Sequence, residues 1–199
     1  MLGINRPGSV PQRLVVRRLM PHVHCTQVNA TQEIPMKTLI PGPDHLRAYR
    51  DVLAQFATGV TVVTAMGDCG PVGMTANSFS AVSLDPPLVL WCLERKSSRF
   101  GVLATARHFA IHVLGADQKN LSQSFASPVA ADGAFSGQLT PEGAPILPGV
   151  LARFDCELHT THDGGDHMIL VGKVLRASYG KGDPLLFWNR LYGAFIEKG

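Results

Sequence analysis

The segment "LARFDCELHTTHDGGDHMILVGKVLRA", residues 151–177, contains two strand patterns separated by a glycine-rich turn. In the first pattern two sets of residues alternate along the chain. One set is Leu151, Arg153, Asp155, Glu157 and His159, and the other is Ala152, Phe154, Cys156, Leu158 and Thr160. This period of two is typical of a β-strand with two different faces. Residues 168–177 form a second apolar run, and Asp-Gly-Gly-Asp between the runs suits a hairpin turn. The segment therefore predicts an antiparallel hairpin.

Further strand patterns lie on both sides of this hairpin. Apolar or β-branched runs occupy residues 60–65, 87–93, 108–114 and 184–188, and the chain returns from the first of them through residues 72–84. Cys92 and Cys156 lie inside such runs and are expected to be small core residues. Six or seven strands joined mostly by turns, without strict strand–helix alternation, predict a mainly β fold, a largely antiparallel β-barrel decorated by helices.

Three helices are expected, one before the first strand and two between later strands. Residues 44–59 place Leu46, Tyr49, Leu53 and Phe56 on one face, with Val52 beside it, and Asp44 and Gly59 are candidates for its ends. Residues 97–107 predict a short helix with Ser98 as its cap, and residues 116–126 predict another. Residues 127–149 hold four prolines and four glycines and are expected to form a long functional loop or rim.

Composition limits the classes of protein to consider. The chain has 199 residues, 45% hydrophobic and 17% charged, which fits one globular domain. Its net charge of +3 arises within residues 1–35, so the remaining chain is neutral by count and gives no reason to expect nucleic acid. No apolar run approaches 18 residues, so no membrane span is expected. The four cysteines form no CxxC pair, and a cytoplasmic location is expected.

Residues 1–43 differ from the rest of the chain. They contain six prolines, are basic and show no clear periodicity. We therefore expect residues 1–43 to be a disordered N-terminal extension, and residues 44–199 to be the folded domain.

Two polar clusters are candidates for binding. Residues 73–83 and 92–99 concentrate hydroxyls, an amide and the cations Lys96 and Arg99, a set that suits a phosphate-bearing flat ligand. Polar strand faces and a helix cap explain the same residues without any ligand. The glycine-rich motifs GxGxxG and GxxxxGK[ST], the GxSxG elbow and HExxH are all absent, so the chemistry they indicate is not expected.

The hairpin turn raises a separate question, because His159, His162, His167, Asp163 and Asp166 fall within nine residues. A metal site, a solvated turn and a loop that binds an anionic ligand are the three interpretations. No HxH or HExxH spacing and no neighbouring cysteine supports a metal, and no metal is assigned.

From about Asp51 to Tyr192 the chain resembles the flavin reductases of the split β-barrel, FMN-binding class, especially the reductase components of two-component aromatic monooxygenases. The resemblance depends on "FATGVTVVT" (56–64), "GPVGMTANSFSAVSLDPPLVLWC" (70–92), "SSRFGVLATARHFAIHVLGADQKNLSQSFA" (97–126), "HDGGDH" (162–167) and "PLLFWNRLYG" (184–193). It implies a split antiparallel barrel, usually a homodimer. It also implies an NAD(P)H:flavin oxidoreductase that passes reduced FMN or FAD to a separate monooxygenase.

The resemblance also implies a set of site residues. The flavin is expected to contact Pro71, Val72, Gly73, Met74, Thr75, Asn77, Ser78, Cys92, Leu93, Glu94, Ser97, Ser98, Arg99, Ser124 and Phe125, with its phosphate on Ser97, Ser98 and Arg99. Gly165, Asp166 and His167 are expected to serve NADH or NADPH, the hydride donor. The cofactors carry the hard chemistry, so no catalytic side chain is assigned.

The chain departs from the family pattern at its closing segment. The family places Arg-Gly after an aromatic residue, whereas Trp188 is followed by Asn189 and Arg190. Two alternatives to the reductase stay open, and the shift of Arg190 supports the first of them. One is a flavin-binding carrier or sensor without turnover, and the other is a split-barrel protein that keeps its flavin and reduces another acceptor. Phe79, Trp91 and Trp188 are expected to be core residues rather than stacking partners.

Overall fold

A computed structural model describes residues 34–127 and 134–195 of the chain. The chain divides into two units, Met1–Thr38 and Leu39–Gly199. The described part of the first unit, residues 34–38, has no regular secondary structure. The predicted disorder of residues 1–43 falls mainly on residues 1–33, which lie outside the described residues.

Two antiparallel sheets form the second unit. In the larger sheet the strands lie in the order β3-β2-β6-β7-β8-β5-β4, and in the smaller sheet in the order β1-β9-β10. The strands are β1 (Thr58–Gly59), β2 (Thr61–Gly67), β3 (Gly70–Ala76), β4 (Ser80–Leu84), β5 (Pro87–Glu94), β6 (His108–Val113), β7 (Ala152–Gly164), β8 (His167–Tyr179), β9 (Leu185–Trp188) and β10 (Leu191–Ala194). The predicted mainly β, antiparallel architecture is confirmed.

The predicted hairpin of residues 151–177 is the longest strand pair of the larger sheet. Strands β7 and β8 pair from Ala152↔Tyr179 to Gly164↔His167 and leave only Gly165 and Asp166 in the turn. Gly165 has φ +73°, and a positive φ at the first loop position is what a type II′ turn needs. The alternation along β7 is interrupted at two register shifts. One consequence is that Asp155, expected on a polar face, is buried and pairs with Arg153 at 2.7 Å.

The larger sheet does not close through a continuous ladder. Strands β3 and β4 stand at the two ends of the strand order, and β5 lies beside β4. A side chain bridges the gap, because the backbone N–H of Cys92 on β5 donates to Oγ of Ser78, two residues after β3, at 2.9 Å. The result is a barrel that is split between β3 and β5.

Strand β2 is buried on both faces, which explains its continuous β-branched sequence. Val63 and Ala65 belong to the core cluster inside the larger sheet, together with Trp91 and Phe109. Val62 points the other way, into a second core cluster against the smaller sheet and the third helix. The members of that second cluster are Val60, Val62, Leu114, Phe125, Leu147 and Leu185.

Three short helices cover the sheets. They are α1 (Leu46–Leu53), α2 (Phe100–Thr105) and α3 (Lys119–Ala126), with 3-10 turns at Pro43–His45 and Ala116–Gln118. The predicted first helix is correct in position but too long, since β1 begins at Thr58 and pairs with β9. Neither Asp44 nor Ser98 caps a helix with its side chain. At the start of α2 the Ser97 hydroxyl instead accepts from the Arg99 N–H at 3.2 Å.

The predicted core face of α1 is exposed. Leu46, Val52, Leu53 and Phe56 have more than half of their surface accessible, and Tyr49 has 39% accessible. The pattern located the apolar stripe correctly, but no described residue covers it. The end of α1 is joined to the turn between β9 and β10, where the Asn189 N–H donates to the Ala54 carbonyl oxygen at 3.0 Å.

Strand β10 was not expected from the sequence. Asn189 and Arg190 have φ values of 48° and 65°, the left-handed pair that a two-residue hairpin turn uses. Asn-Arg lacks the glycine that normally marks such a turn, so the segment gave no hairpin signal. The turn places Arg190 within 2.6 Å of Asp51 on α1.

The loop after α3 is anchored to the core by two side chains. The Thr64 hydroxyl donates to the Pro145 carbonyl oxygen at 2.6 Å. His112 is fully buried, with Nδ1 3.1 Å from the Val62 carbonyl oxygen, and its Nε2 accepts from the Leu147 N–H at 3.2 Å. These contacts require a neutral ring protonated on Nδ1. Burial lowers the pKa of His112 to about 4.

We expect His112 to make the fold less stable in acid. Between its folded pKa of about 4 and its ordinary value of about 6.5, the unfolded state binds more protons. The stabilisation is therefore complete above about pH 6.5 and decreases as pH falls, by about 2 kcal/mol between pH 7 and pH 5. Chemical denaturation at several pH values measures this slope. In a His112→Gln variant the free energy of unfolding should depend less on pH, whatever the overall stability of that variant. An unchanged pH dependence would contradict the assignment.

Candidate functional site

A cavity of about 630 Å³ lies at the split between β3 and β5. Its size falls within the range of small-molecule and cofactor sites. The larger sheet, the turn before α2, the end of α3 and the smaller sheet all contribute to it. Its walls are formed by Val60, Met74, Thr75, Ala76, Asn77, Ser78, Cys92, Glu94, Lys96, Ser97, Ser98, Arg99, Ala126, His167, Phe187 and Tyr192.

The β3 wall presents hydroxyl and amide groups from Thr75, Asn77 and Ser78. Thr75 Oγ1 donates to the Ser122 carbonyl oxygen at 2.6 Å, which fixes the end of β3 against α3. Ser78 is held by its contact with Cys92. These partners hold Thr75 and Ser78 in place without any ligand.

The turn between β5 and α2 provides the positive end of the cavity. Lys96, Ser97, Ser98 and Arg99 all border it, so two cations and two hydroxyls face the same space. The Arg99 guanidinium donates through Nη2 to the carbonyl oxygen of Ser127, just after α3. Burial lowers the pKa of Arg99 from its ordinary value, but a guanidinium stays protonated in proteins. Such a set is chemically suited to a phosphate group.

His167, the first residue of β8, borders the cavity at the hairpin turn. Its Nδ1 lies 2.7 Å from Oδ1 of Asp166. The hydrogen bond from His167 holds the pKa of the Asp166 carboxyl below its usual range. The contact leaves Nε2 of His167 without a hydrogen bond to any residue that the structure describes, so this nitrogen can meet a ligand.

The smaller sheet closes the cavity with two aromatic rings. Phe187 and Tyr192 pack edge to face, with ring planes inclined at 62° and ring centroids 5.2 Å apart. The Tyr192 hydroxyl lies 2.9 Å from Oγ of Ser122, the same residue whose carbonyl holds Thr75. A cavity that combines an apolar, aromatic wall with a polar one suits a flat ring system.

The structure brings ten of the predicted site residues to the cavity. They are Met74, Thr75, Asn77, Ser78, Cys92, Glu94, Ser97, Ser98, Arg99 and His167. It adds six residues that sequence reasoning did not assign: Val60, Ala76, Lys96, Ala126, Phe187 and Tyr192. Lys96 stood in the polar cluster that the sequence showed, whereas the apolar members carried no signal of their own.

The other predicted site residues do not line the cavity. They are Pro71, Val72, Gly73, Leu93, Ser124, Phe125, Gly165 and Asp166. Leu93 alternates with the lining residues Cys92 and Glu94, so its side chain points into the core. Phe125 is also a core residue, and a Cβ at Gly73 would lie 2.5 Å from its ring. Gly73 is therefore needed for packing against α3, a reason that the sequence did not reveal.

The three aromatic residues considered as stacking partners do not line the cavity either. Trp91 is fully buried in the core. Phe79 stacks on Phe154 with ring centroids 5.4 Å apart. Trp188 is half-exposed and donates through Nε1 to the Gln55 carbonyl oxygen at 3.2 Å.

The metal interpretation of the hairpin gains no geometric support. Within residues 34–127 and 134–195, no three His, Cys, Asp or Glu side chains come together as ligands for a metal ion. Across the same two segments, no helix has the length and apolar character needed to span a membrane.

Comparison with known proteins identifies the family. Residues 53–195 match the flavin reductase like domain. The chain is 48% identical to the FMN reductase (NADH) SmoA of Agrobacterium fabrum over 87% of this chain and 99% of that protein. It is 40% identical to the flavin-dependent monooxygenase reductase subunit HsaB of Rhodococcus jostii, over 73% of this chain and 76% of that protein.

Solved structures give the same answer. An NADH:FAD oxidoreductase of Streptomyces globisporus, in complex with NAD and FAD fragments, superimposes with a TM-score of 0.74. It is 36% identical, over 80% of this chain and 98% of that one. Some relatives are longer, since the match spans 42% of the probable flavin reductase of Rhizobium meliloti. With its split antiparallel barrel, this chain belongs to the flavin reductase like domain family.

Proposed function

We propose that this protein is an NAD(P)H:flavin oxidoreductase that supplies reduced FMN or FAD to a separate flavin-dependent monooxygenase. The cavity at the split of the barrel is the observation that carries this proposal. It combines cations and hydroxyls that suit a phosphate, from residues 96–99, with a polar wall and an aromatic wall. The relatives support it: one is named an FMN reductase (NADH), and others are reductase components of monooxygenases.

The cavity residues fit a flavin. Ser97, Ser98 and Arg99 would hold the phosphate, through the hydroxyls and the guanidinium that face the cavity. Thr75, Asn77 and Ser78 would hydrogen-bond the ribityl chain and the polar edge of the ring. Phe187, Val60 and Ala76 would contact its apolar part. The other residues predicted to bind flavin, which do not line the cavity, would act by shaping these walls.

The protein's contribution to the reaction is binding and orientation. A bound flavin supplies the redox chemistry by accepting a hydride from a nicotinamide nucleotide. The fixed β3 wall would hold the ring at one depth, and the aromatic wall would exclude water from one side. His167, which borders the cavity and whose Nδ1 is held by Asp166, would hydrogen-bond the nucleotide through Nε2, as an acceptor when the ring is neutral and as a donor when it is an imidazolium. Gly165 would allow the nucleotide to approach the turn closely.

One observation favours the alternative in which the flavin stays bound. Arg190 is engaged with Asp51 at 2.6 Å and does not line the cavity, so it is not placed to hold nucleotide phosphates. A protein that binds the nucleotide weakly would be a flavin carrier or would reduce another acceptor. Turnover measurements separate these functions.

The decisive experiment is NADH and NADPH oxidation by the purified protein, with riboflavin, FMN and FAD supplied in parallel. Oxidation that depends on added flavin, with reduced flavin released, supports the reductase. A yellow protein that does not oxidise either nucleotide when free flavin is added would contradict it and favour the carrier. Turnover only with another acceptor would favour the third function.

We further propose that the protein is a homodimer in which α1 is covered by the second copy. Four apolar side chains of this segment have more than half of their surface exposed, and apolar surface of this kind marks interaction sites. Leu53→Glu should therefore convert a dimer to a monomer in light scattering, whereas Leu139→Glu, on an exposed loop residue, should not. A wild-type monomer at micromolar concentration would contradict this arrangement.

The location and domain proposals rest on simpler observations. Cys69, Cys92 and Cys156 are free thiols, which supports a cytoplasmic location. The helices and strands of the described residues begin at Pro43, which supports residues 44–199 as the domain.

A further inference from the structure

Arg95 connects the barrel to the tip of the β7–β8 hairpin. It directly follows β5 and does not itself line the cavity, although its neighbours Glu94 and Lys96 do. The last pair of the β5–β8 ladder is Glu94↔His167, so Arg95 lies beside the hairpin turn. Its position is therefore suited to holding the turn rather than to contacting a ligand.

Three hydrogen bonds join Arg95 to the turn. Its backbone N–H donates to the Asp166 carbonyl oxygen at 3.0 Å, which extends the ladder by one step. Its side-chain Nε donates to the Gly165 carbonyl oxygen at 3.0 Å, and Nη2 donates to Oδ1 of Asp163 at 2.5 Å. The planar guanidinium thus holds the turn and the end of β7 at the same time, which a lysine could not do.

The hairpin tip has few other restraints. Residues 159 and 161–166 are exposed, and the turn consists of two residues, one with a positive φ. The Arg95 side chain is itself 39% exposed, and that of Asp163 79%, so the ion pair adds little to global stability. Its effect is local, because a side chain that fixes a turn sets the position of the residue that follows it.

That residue is His167. Its Nδ1 is held by Asp166, whose own carbonyl oxygen accepts from Arg95. A tilt of the turn would therefore move Asp166 and His167 together and shift Nε2 of His167 relative to the cavity. The guanidinium carbon of Arg95 also lies 6.0 Å from the Phe100 ring centroid, at the start of α2. This contact links the hairpin to α2, the helix that follows the turn of residues 96–99.

We propose that Arg95 is a positioning residue, which holds the end of β7 and the 165–166 turn so that His167 borders the cavity in a geometry that receives the nicotinamide nucleotide. The proposal depends on the proposed reductase function for its kinetic consequence. Its structural content, that Arg95 orders the hairpin turn, does not depend on that function.

A double-mutant cycle tests the kinetic consequence in the full-length protein. Arg95→Ala should raise the KM for NADH about threefold to tenfold, in the range of couplings between contacting residues. The FMN dissociation constant should change less than about twofold. In a His167→Ala background the same substitution should add almost nothing, because Arg95 acts through His167. Arg95→Lys should raise the KM for NADH less than Arg95→Ala does. Arg107→Ala is the control, because it breaks an exposed ion pair with Glu157 elsewhere on β7, and it should leave the KM for NADH unchanged.

Amide hydrogen exchange tests the structural content without using activity. In Arg95→Ala the amides of residues 164–167 should exchange about tenfold faster than in the wild type, and in Arg107→Ala they should not. Unchanged exchange would overturn the proposal whether or not the protein oxidises NADH. Faster exchange combined with additive KM effects in the cycle would also overturn it, since Arg95 would then not act through His167. A wild type inactive towards both nucleotides would instead contradict the proposed function.

Discussion

Replacing Arg99 by alanine is expected to weaken FMN binding by about 1.5–3 kcal/mol, the range for a hydrogen bond to a charged group. Arg99 borders the cavity beside Ser97 and Ser98 and is partly withdrawn from solvent, which lowers its pKa and strengthens any contact with an anion. Among residues 34–127 and 134–195, the Ser127 carbonyl oxygen is the one hydrogen-bond partner of the Arg99 guanidinium, which leaves its other N–H groups for a phosphate. Fluorescence titration of the protein with FMN measures the change.

Riboflavin separates two ways in which this substitution could act. It lacks the phosphate, so its affinity should change little if Arg99 binds that group directly. If the loss instead comes from releasing the end of α3 through Ser127, riboflavin and FMN should lose affinity equally. Lys96→Ala is the matched comparison, because Lys96 also borders the cavity but is exposed, and it should cost less than about 1 kcal/mol. Equal losses for both ligands would contradict the phosphate assignment.

The strands of the larger sheet could be predicted because their signals are local. Strand β5 is a continuous apolar run between prolines and polar residues, and the β7–β8 hairpin carries its own turn. Asp155 shows the limit of such reasoning. It occupies a polar position of the alternating pattern, but a register shift beside it and pairing with Arg153 and Arg176 make it a buried charge. A bulge follows from how neighbouring strands pair, which the sequence of one strand does not contain.

The first helix shows how tertiary contacts override a local pattern. Its apolar period continues to Phe56, yet the helix ends at Leu53 because Thr58 and Gly59 pair with Phe187 and Leu186. Those partners lie more than 120 residues further along the chain. The stripe was expected to be core because apolar residues at helical spacing usually are. In the described structure it is exposed, which is the observation that supports a second copy of the chain.

The candidate site was partly visible in the sequence for a chemical reason. Hydroxyls, amides and cations close together in the chain are unusual for a core, so Thr75, Asn77, Ser97 and Arg99 could be selected. The aromatic wall could not be selected, because Phe187 and Tyr192 come from a smaller sheet whose last strand depends on an Asn-Arg turn. Strand alternation turns the Leu93 side chain into the core, since only every second side chain of β5 can face the cavity.

Replacing His167 by alanine is expected to raise the KM for NADH about tenfold to a hundredfold, equivalent to the loss of one charge-assisted hydrogen bond. The ring borders the cavity through β8, and its Nδ1 is engaged with Asp166, which orients Nε2 for a ligand. The flavin contacts belong to β3, β5 and the turn before α2, so the flavin dissociation constant should stay within about twofold. Steady-state kinetics with NADH and flavin varied separately measure both effects.

His162→Ala is the matched control, because His162 lies on the same hairpin but does not line the cavity. It should leave both constants unchanged, as exposed substitutions usually cost within about 0.5 kcal/mol. A metal site would behave differently, since EDTA would abolish activity and both histidine variants would lose metal. If the hairpin is only a solvated turn, His167→Ala should leave the KM for NADH and the flavin dissociation constant unchanged, as the control does. An unchanged KM for NADH in His167→Ala would thus remove this residue from the nucleotide site while leaving the flavin cavity intact, because the two sets of contacts lie on different segments of the barrel.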